Sequence, residues 1–122
     1  MSMPPFRATV AQVGERIALV SLSGELDLHV ERDLRDALDA AAELRSRAVV
    51  VDLSGVSFMD STICGVLVGE AKRLRRDSTE LVLVSNANRA SRVLEVAGID
   101  QIVPLYPTLH LAFQKLLLET VP

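Results

Sequence analysis

One short segment of the chain carries the side chains best placed to do chemistry. It reads Asp60-Ser61-Thr62 and follows directly on an apolar stretch that ends at Met59. A serine at a helix start most often only caps it, because its hydroxyl accepts a bond from a free backbone N–H. The alternative is that Ser61 accepts a phosphoryl group, since free N–H groups and the helix dipole tolerate phosphate. A phosphate would add about −1.5 to −2 charges beside Asp60, which predicts a switch on a binding surface.

A second group of polar residues lies on the loop after the second predicted strand. Asp27 and His29 stand there, and an aspartate in this setting commonly bonds nearby N–H groups in a turn. Loops at the carboxyl ends of parallel strands are the usual functional edge of such a sheet. If this loop lies beside the Ser61 loop, the two form one acidic docking surface.

Composition argues against several other functions. The 122 residues carry a formal net charge of −3, so long-range attraction to nucleic acid or anionic lipid is not expected. Aromatic residues make up 3%, too few for base-stacking platforms. Cys64 is the only cysteine, and His29 and His110 lack metal-ligand spacing, so no metal or cofactor is predicted. No apolar run approaches the ~18 residues of a membrane span, and no signal peptide is visible, which predicts a cytoplasmic protein.

Two further motifs, and an enzymatic role of Ser61, have simpler explanations. The basic run 72–76 occupies the last turns of a predicted helix, where cations complement the dipole, so a nucleic-acid patch is disfavoured. Gly65 and Gly69 lie four apart in the same helix and are predicted to permit close packing on the sheet. Ser61 as an enzymatic nucleophile is disfavoured because the motif contains no histidine or lysine base.

The elements that must position these residues alternate along the chain. Strands are predicted at 8–13, 16–23, 48–53, 80–84 and 101–105, and a loop at 24–27. Helices are predicted at 30–45, from near Ser61, from a cap at Asn88 to Gly98, and after a cap at Thr108. This order predicts an α/β fold with a mixed, mostly parallel sheet, one antiparallel edge hairpin and about four helices.

Three motifs, in this order, resemble the STAS-domain family of anti-sigma factor antagonists. They are Gly24-Glu25-Leu26-Asp27, the segment from Asp52 to Ser61, and the segment from Leu94 to Ile99. The second motif is long and quite specific, whereas the other two are weak alone. The resemblance covers about residues 8–118 and implies a single STAS-like domain over residues 1–122.

The resemblance implies a partner-switching role. In this family the unphosphorylated protein binds an anti-sigma factor that is also an ATP-dependent serine kinase, which releases a sigma factor for transcription. Phosphorylation, implied here at Ser61 with Thr62 as the alternative, ends binding, and a phosphatase restores it. The ATP belongs to the kinase, so the chain is implied to be a phosphoprotein substrate and not an enzyme. The residues assigned to partner binding are Glu25, Asp27, His29, Asp60, Ser61 and Thr62.

One position departs from the family pattern. Ile63, followed by Cys64, stands where the family usually has glycine, and its β-branched side chain is expected to crowd a kinase or to change partner choice. The alternative function is therefore a non-switching STAS scaffold in a signalling or transport assembly. The single apolar face of the C-terminal helix, residues 109–118, favours packing on its own sheet, and a weak homodimer stays open.

Overall fold

A single sheet of five strands forms the centre of the computed structural model, which describes residues 5–86 and 89–119. The strands are β1 (Arg7–Val13), β2 (Ile17–Leu26), β3 (Ala48–Met59), β4 (Glu80–Val84) and β5 (Leu105–Tyr106), and they lie in that order across the sheet. The helices are α1 (Glu31–Glu43), α2 (Ser61–Arg76), α3 (Arg89–Val96) and α4 (Leu109–Glu119). β1 runs antiparallel to β2, and every later pair is parallel, so the predicted fold class is confirmed.

Both faces of the sheet are covered by helices. The larger core joins the sheet to α1, α2 and α3 through buried side chains such as Leu38, Leu67 and Leu94. The smaller core lies under α4, where Ala112 and Leu116 are buried against the strands. The continuous apolar run at the start of β3 serves both cores, as expected for a strand buried on both faces. The preference of the C-terminal helix for its own sheet is thus confirmed, although Leu117 and Leu118 are exposed.

The two central strands are longer than the sequence predicts. β2 continues through Gly24 to Leu26, where a loop was expected, because this segment still pairs with β3. β3 continues to Met59 instead of ending near residue 53. The register shifts between Ser21 and Ser23 and again between Gly24 and Glu25, so β3 carries two bulges in its second half. Bulges bend a strand and re-aim the residues that follow it.

The ends of several other elements also differ from the predicted ones. A 3-10 turn, Leu28–Val30, precedes α1, and the helix stops at Glu43 instead of residue 45. The predicted strand 101–105 is wrong for its first part, where a 3-10 turn occupies Ile99–Gln101 and β5 has only two residues. Gly98 has φ 72°, which confirms its predicted left-handed role. The Thr108 hydroxyl accepts the Leu111 N–H at 3.1 Å, as a cap should, and the predicted cap at Asn88 lies outside the described residues.

Candidate functional site

The loops that carry the candidate residues leave the sheet side by side. β2 and β3 are parallel neighbours, and their last residues, Leu26 and Met59, are paired. The Asp60 N–H donates to the Leu26 carbonyl oxygen at 3.1 Å, so this contact joins the two strand ends. Asp27 and Asp60 therefore begin adjacent turns at one edge of the sheet, which is the adjacency on which the predicted docking surface depended.

The segment Asp60–Ile63, here called the Ser61 turn, is organised by the aspartate. One carboxylate oxygen of Asp60 accepts the N–H groups of Thr62 at 3.0 Å and Ile63 at 3.3 Å, and Asp60 itself is extended. Ser61 is the first helical residue, so its predicted role as the cap is wrong. Aspartate and serine are both good capping residues, and the residue that keeps the extended backbone at the end of β3 takes the role.

The Ser61 side chain is left available by this arrangement. Ser61 and Thr62 are both exposed, and no group of the described residues hydrogen-bonds the Ser61 hydroxyl. Ile63 has no exposed surface at all, because it lies beneath the helix in the larger core. The expected crowding by Ile63 is therefore wrong: its side chain points away from the surface on which Ser61 lies.

Cys64 completes the buried side of the same helical turn. Burial raises the pKa of its thiol, and the negative charge of Asp60 raises it further. The thiol therefore stays protonated at neutral pH, and a protonated, buried thiol is a poor nucleophile and a poor metal ligand. Its place in the core identifies Cys64 as a small apolar residue of the fold.

The segment Asp27–Val30, here called the Asp27 turn, is built in the same way. The Asp27 carboxylate accepts the His29 N–H at 2.9 Å, and the Asp27 carbonyl oxygen accepts the Val30 N–H at 3.1 Å. The imidazole of His29 is exposed, with its Nδ1 3.6 Å from the same carboxylate. Leu28 stands between Asp27 and His29 in the sequence, with 62% of its surface exposed.

Leu28 is exposed at this edge although it is not among the predicted partner-binding residues, and Glu25 lies within β2 and not in the predicted loop. Leu28 fits no apolar stripe of a predicted helix or strand, and this isolation in a polar loop was the available signal. Glu25 alternates along β2 with the fully buried Leu26, so its half-buried side chain lies on the opposite face of the sheet. The structure therefore brings Asp27, Asp60, Ser61 and Thr62 to one edge, with Glu25 at its margin.

The exposed side of α2 continues from the Ser61 turn as a line of small residues. Gly65 and Gly69 are exposed, and a Cβ atom built on either would meet nothing within 4 Å. The prediction that these glycines allow close approach to the sheet is wrong, because they face outward. They leave the helix surface flat for two turns beyond Ser61.

The basic end of α2 has a structural role. Arg73 donates to Asp39 of α1 at 3.0 Å, which joins the two helices, and it also pairs with Glu70 within α2. The bond with Glu70 and the neighbouring negative charges raise the pKa of the guanidinium. Arg73 lies three helical turns beyond Ser61, so this part of the basic run belongs to the scaffold.

Within the described ranges, no three side chains of the metal-binding types lie close enough together to hold an ion.

No helix in the described part of the chain is both long enough and apolar enough to cross a bilayer.

Comparison with known proteins gives a consistent result. The family model described as the STAS domain matches residues 8–112. An anti-sigma-B factor antagonist of Listeria monocytogenes is 34% identical over 86 residues, which cover 70% of this chain and 75% of that protein. The crystal structure of an anti-sigma factor antagonist from Mycobacterium paratuberculosis has a TM-score of 0.84 at 29% identity, over 91% of this chain and 93% of the other.

A more distant likeness shows the fold alone. The anti-sigma factor antagonist SpoIIAA in its unphosphorylated form has a TM-score of 0.75 at 20% identity, over 90% of this chain and 96% of that chain. The phosphorylated form of the Bacillus protein SpoIIAA has a TM-score of 0.68, over 90% of this chain and 99% of that chain.

Proposed function

The chain belongs to the STAS domain family, and we propose that it is an anti-sigma factor antagonist whose binding is switched by phosphorylation of Ser61. In this proposal the unphosphorylated chain binds an anti-sigma factor that is also a serine kinase, and a sigma factor is released. The observation that carries the proposal is the free, exposed hydroxyl of Ser61 beside the Asp27 turn. A serine used as the helix cap would not be free in this way.

The geometry of the Ser61 turn explains how a phosphate would act. Asp60 already accepts the N–H groups of Thr62 and Ile63, so a phosphate on Ser61 would find these donors occupied. It would stay in solvent beside a carboxylate, where its charge is tolerated only while water surrounds it. A docked partner would remove that water, so modification opposes docking without requiring the fold to change.

The chemistry of transfer adds a second source of repulsion. A kinase must bring the terminal phosphate of ATP in line with the Ser61 hydroxyl. After transfer, the phosphoserine and the nucleotide phosphates would occupy the same small volume, and both are strongly negative. SpoIIAA has this fold in both its unphosphorylated and phosphorylated forms, which supports a switch that acts through surface charge.

The remaining parts of the proposal follow from this role. The chain is a substrate of the kinase and not a catalyst, and a phosphoserine phosphatase returns it to the binding form. The relatives carry the names of regulators of sigma factors, which supports an anti-sigma factor as the partner. Kinase, ATP and transcription machinery meet in the cytoplasm, where we place this cycle.

Intact-mass spectrometry tests the site of modification. With the cognate anti-sigma kinase and ATP, we expect one added phosphate on the wild-type chain and none on Ser61→Ala. Thr62→Ala is the matched control, because Thr62 is also exposed and is the next residue along the chain. Modification of Ser61→Ala at the wild-type level would exclude Ser61 and leave Thr62 as the site.

Binding measurements test the switch itself. We expect Ser61→Asp to weaken binding to the unmodified kinase strongly, while Ser61→Ala binds like the wild type and both keep the circular-dichroism spectrum. Binding of Ser61→Asp at the wild-type level would exclude a charge-driven switch. A wild-type chain that binds its partner but never accepts phosphate would instead support the non-switching scaffold.

A further inference from the structure

The Asp27 turn presents a large apolar side chain to solvent next to the site of the proposed switch. Leu28 has 62% of its surface exposed, whereas the neighbouring strand residue Leu26 is fully buried. Single exposed leucines are common on protein surfaces and need no explanation by themselves. The setting of Leu28, in its rigidity, its position and its charged surroundings, is what distinguishes it.

The turn that carries Leu28 is held by hydrogen bonds on both sides of it. The N–H of His29 donates to the Asp27 carboxylate at 2.9 Å, and the N–H of Val30 donates to the Asp27 carbonyl oxygen at 3.1 Å. The Leu28 carbonyl oxygen in turn accepts the N–H of Glu31 at the start of α1. The leucine is therefore presented by an ordered backbone, so a partner would spend little entropy to fix it.

Leu28 also lies near Ser61, because the two residues follow the paired ends of β2 and β3. Leu26 is bonded to Asp60 across the two strands, and Leu28 and Ser61 are two and one residues further along. With ~3.8 Å between consecutive Cα atoms and ~4.8 Å between strands, the two side chains fit under one docked partner. We therefore expect a protein that docks over the Ser61 hydroxyl to cover Leu28 as well.

Acidic groups flank the leucine on the side of the sheet edge. Asp27 directly precedes Leu28 and has 38% of its side chain exposed. Asp60 begins the adjacent turn, at the end of the neighbouring strand β3. An apolar side chain bordered by like charges is complementary to an apolar pocket with a basic rim. Buried anchors near the centre of an interface carry a large share of the binding energy, although leucine is less common among them than tryptophan, tyrosine or arginine.

We infer that Leu28 is the apolar anchor of this docking surface, and that the anti-sigma partner offers it an apolar pocket rimmed by lysine or arginine. The inference rests on the proposed function and names the chemistry of its partner surface. It separates two tasks within one surface: Leu28 supplies affinity that does not depend on salt, and the aspartates supply attraction that does.

The test is a set of dissociation constants against the purified anti-sigma kinase encoded in the same genome. Leu28→Ala is expected to weaken binding roughly 10- to 100-fold at both low and high salt, as for a truncated hot spot. Leu118→Ala is the matched control, because Leu118 on α4 is 67% exposed and loses the same atoms. It should bind like the wild type, and Leu28→Met should keep most of the affinity.

Two further results separate the inference from the proposed function. Asp27→Asn is expected to flatten the dependence of affinity on salt while Leu28→Ala leaves that dependence unchanged. If Leu28→Ala binds like the wild type while Ser61→Asp does not bind, the anchor is overturned and the switch stands. If the wild-type chain does not bind the kinase at all, the proposed function fails and the anchor fails with it.

Discussion

The Asp27 turn and the Ser61 turn share one local backbone arrangement but expose different side chains. In each, a parallel strand ends, an aspartate stays extended, and its carboxylate accepts the N–H two residues later, at 2.9 Å in one and 3.0 Å in the other. The residue directly after the aspartate is then exposed. It is Leu28 in the first turn and Ser61 in the second.

Under the proposed function, the same backbone arrangement would serve two roles that differ only in the side chain that follows the aspartate. In each turn the aspartate carboxylate accepts the backbone N–H, so the next side chain is not needed to stabilise the turn. An apolar side chain there suits permanent contact, and a hydroxyl suits covalent change. The proposed division between an anchor and a switch therefore depends on both aspartates holding their turns in place.

The first prediction concerns the strand that delivers the Asp27 turn. Gly24 has φ +89°, and a Cβ there would lie 2.7 Å from the Pro5 carbonyl oxygen. We expect Gly24→Ala to lower the free energy of unfolding by about 2–4 kcal/mol, because it adds a backbone clash to a left-handed conformation. Denaturant unfolding monitored by circular dichroism measures the loss.

Gly14→Ala is the control for that clash. Gly14 also has a positive φ, +64°, yet a Cβ there would meet nothing within 4 Å. It should cost only the conformational penalty of about 1 kcal/mol. Equal losses at the two glycines would show that conformation alone matters and that β2 does not need close contact with Pro5.

The second prediction compares the two caps. Asp60 binds two N–H groups and begins a helix of 16 residues, whereas Asp27 binds one and begins a 3-10 turn of three. We expect Asp60→Ala to cost about 1–2 kcal/mol of stability and Asp27→Ala about 0.5–1 kcal/mol, within the range measured for helix caps. Thermal unfolding of the two variants side by side gives the difference, and a larger loss for Asp27 would contradict the ranking.

Much of this architecture can be predicted from the sequence because burial leaves a pattern. The run at the start of β3 is apolar on both faces, and the alternation of such runs with amphipathic helices fixes the order of elements. The second half of β3 leaves no such pattern. Ser54, Gly55 and Ser57 are exposed, and the pairs that Gly55 and Phe58 make with β2 keep this segment in the strand.

The candidate site was predictable in position but not in detail. The motif around Ser61 and the parallel order of the strands place both turns at one edge. Asp60 and not Ser61 caps the helix because of where β3 stops. The end of β3 depends in turn on two bulges, for which the sequence gives no recognisable pattern. The exposure of Leu28 depends on the 3-10 turn Leu28–Val30, where the sequence predicts only a loop before the helix at 30–45.

The third prediction uses the flat surface beyond Ser61. Glycine in an exposed helix interior is destabilising, so Gly65→Ala and Gly69→Ala should each raise stability by about 0.5–1 kcal/mol. Gly65 lies one helical turn from Ser61, and Gly69 lies two turns away. Under the proposed docking, the extra methyl group at Gly65 should weaken partner binding more than the one at Gly69. Wild-type affinity for both variants would place the edge of the interface before Gly65.

The smallest expected effect comes from the buried thiol under the Ser61 turn, for which the Asp27 turn has no counterpart. The pKa of Cys64 is raised above its ordinary 9.0 in the folded chain, by burial first and by Asp60 second. The folded state therefore holds the thiol proton more tightly than the unfolded state does. The stability that the protonated Cys64 thiol contributes is fully present below pH 9 and is lost as the pH rises through its pKa in the folded state. The difference in unfolding free energy between the wild type and Cys64→Ala should therefore shrink above pH 9, and Asp60→Asn should lower the pKa read from thiolate absorbance. A difference that stays constant to high pH would show that the thiol ionises as readily in the folded chain as in the unfolded one.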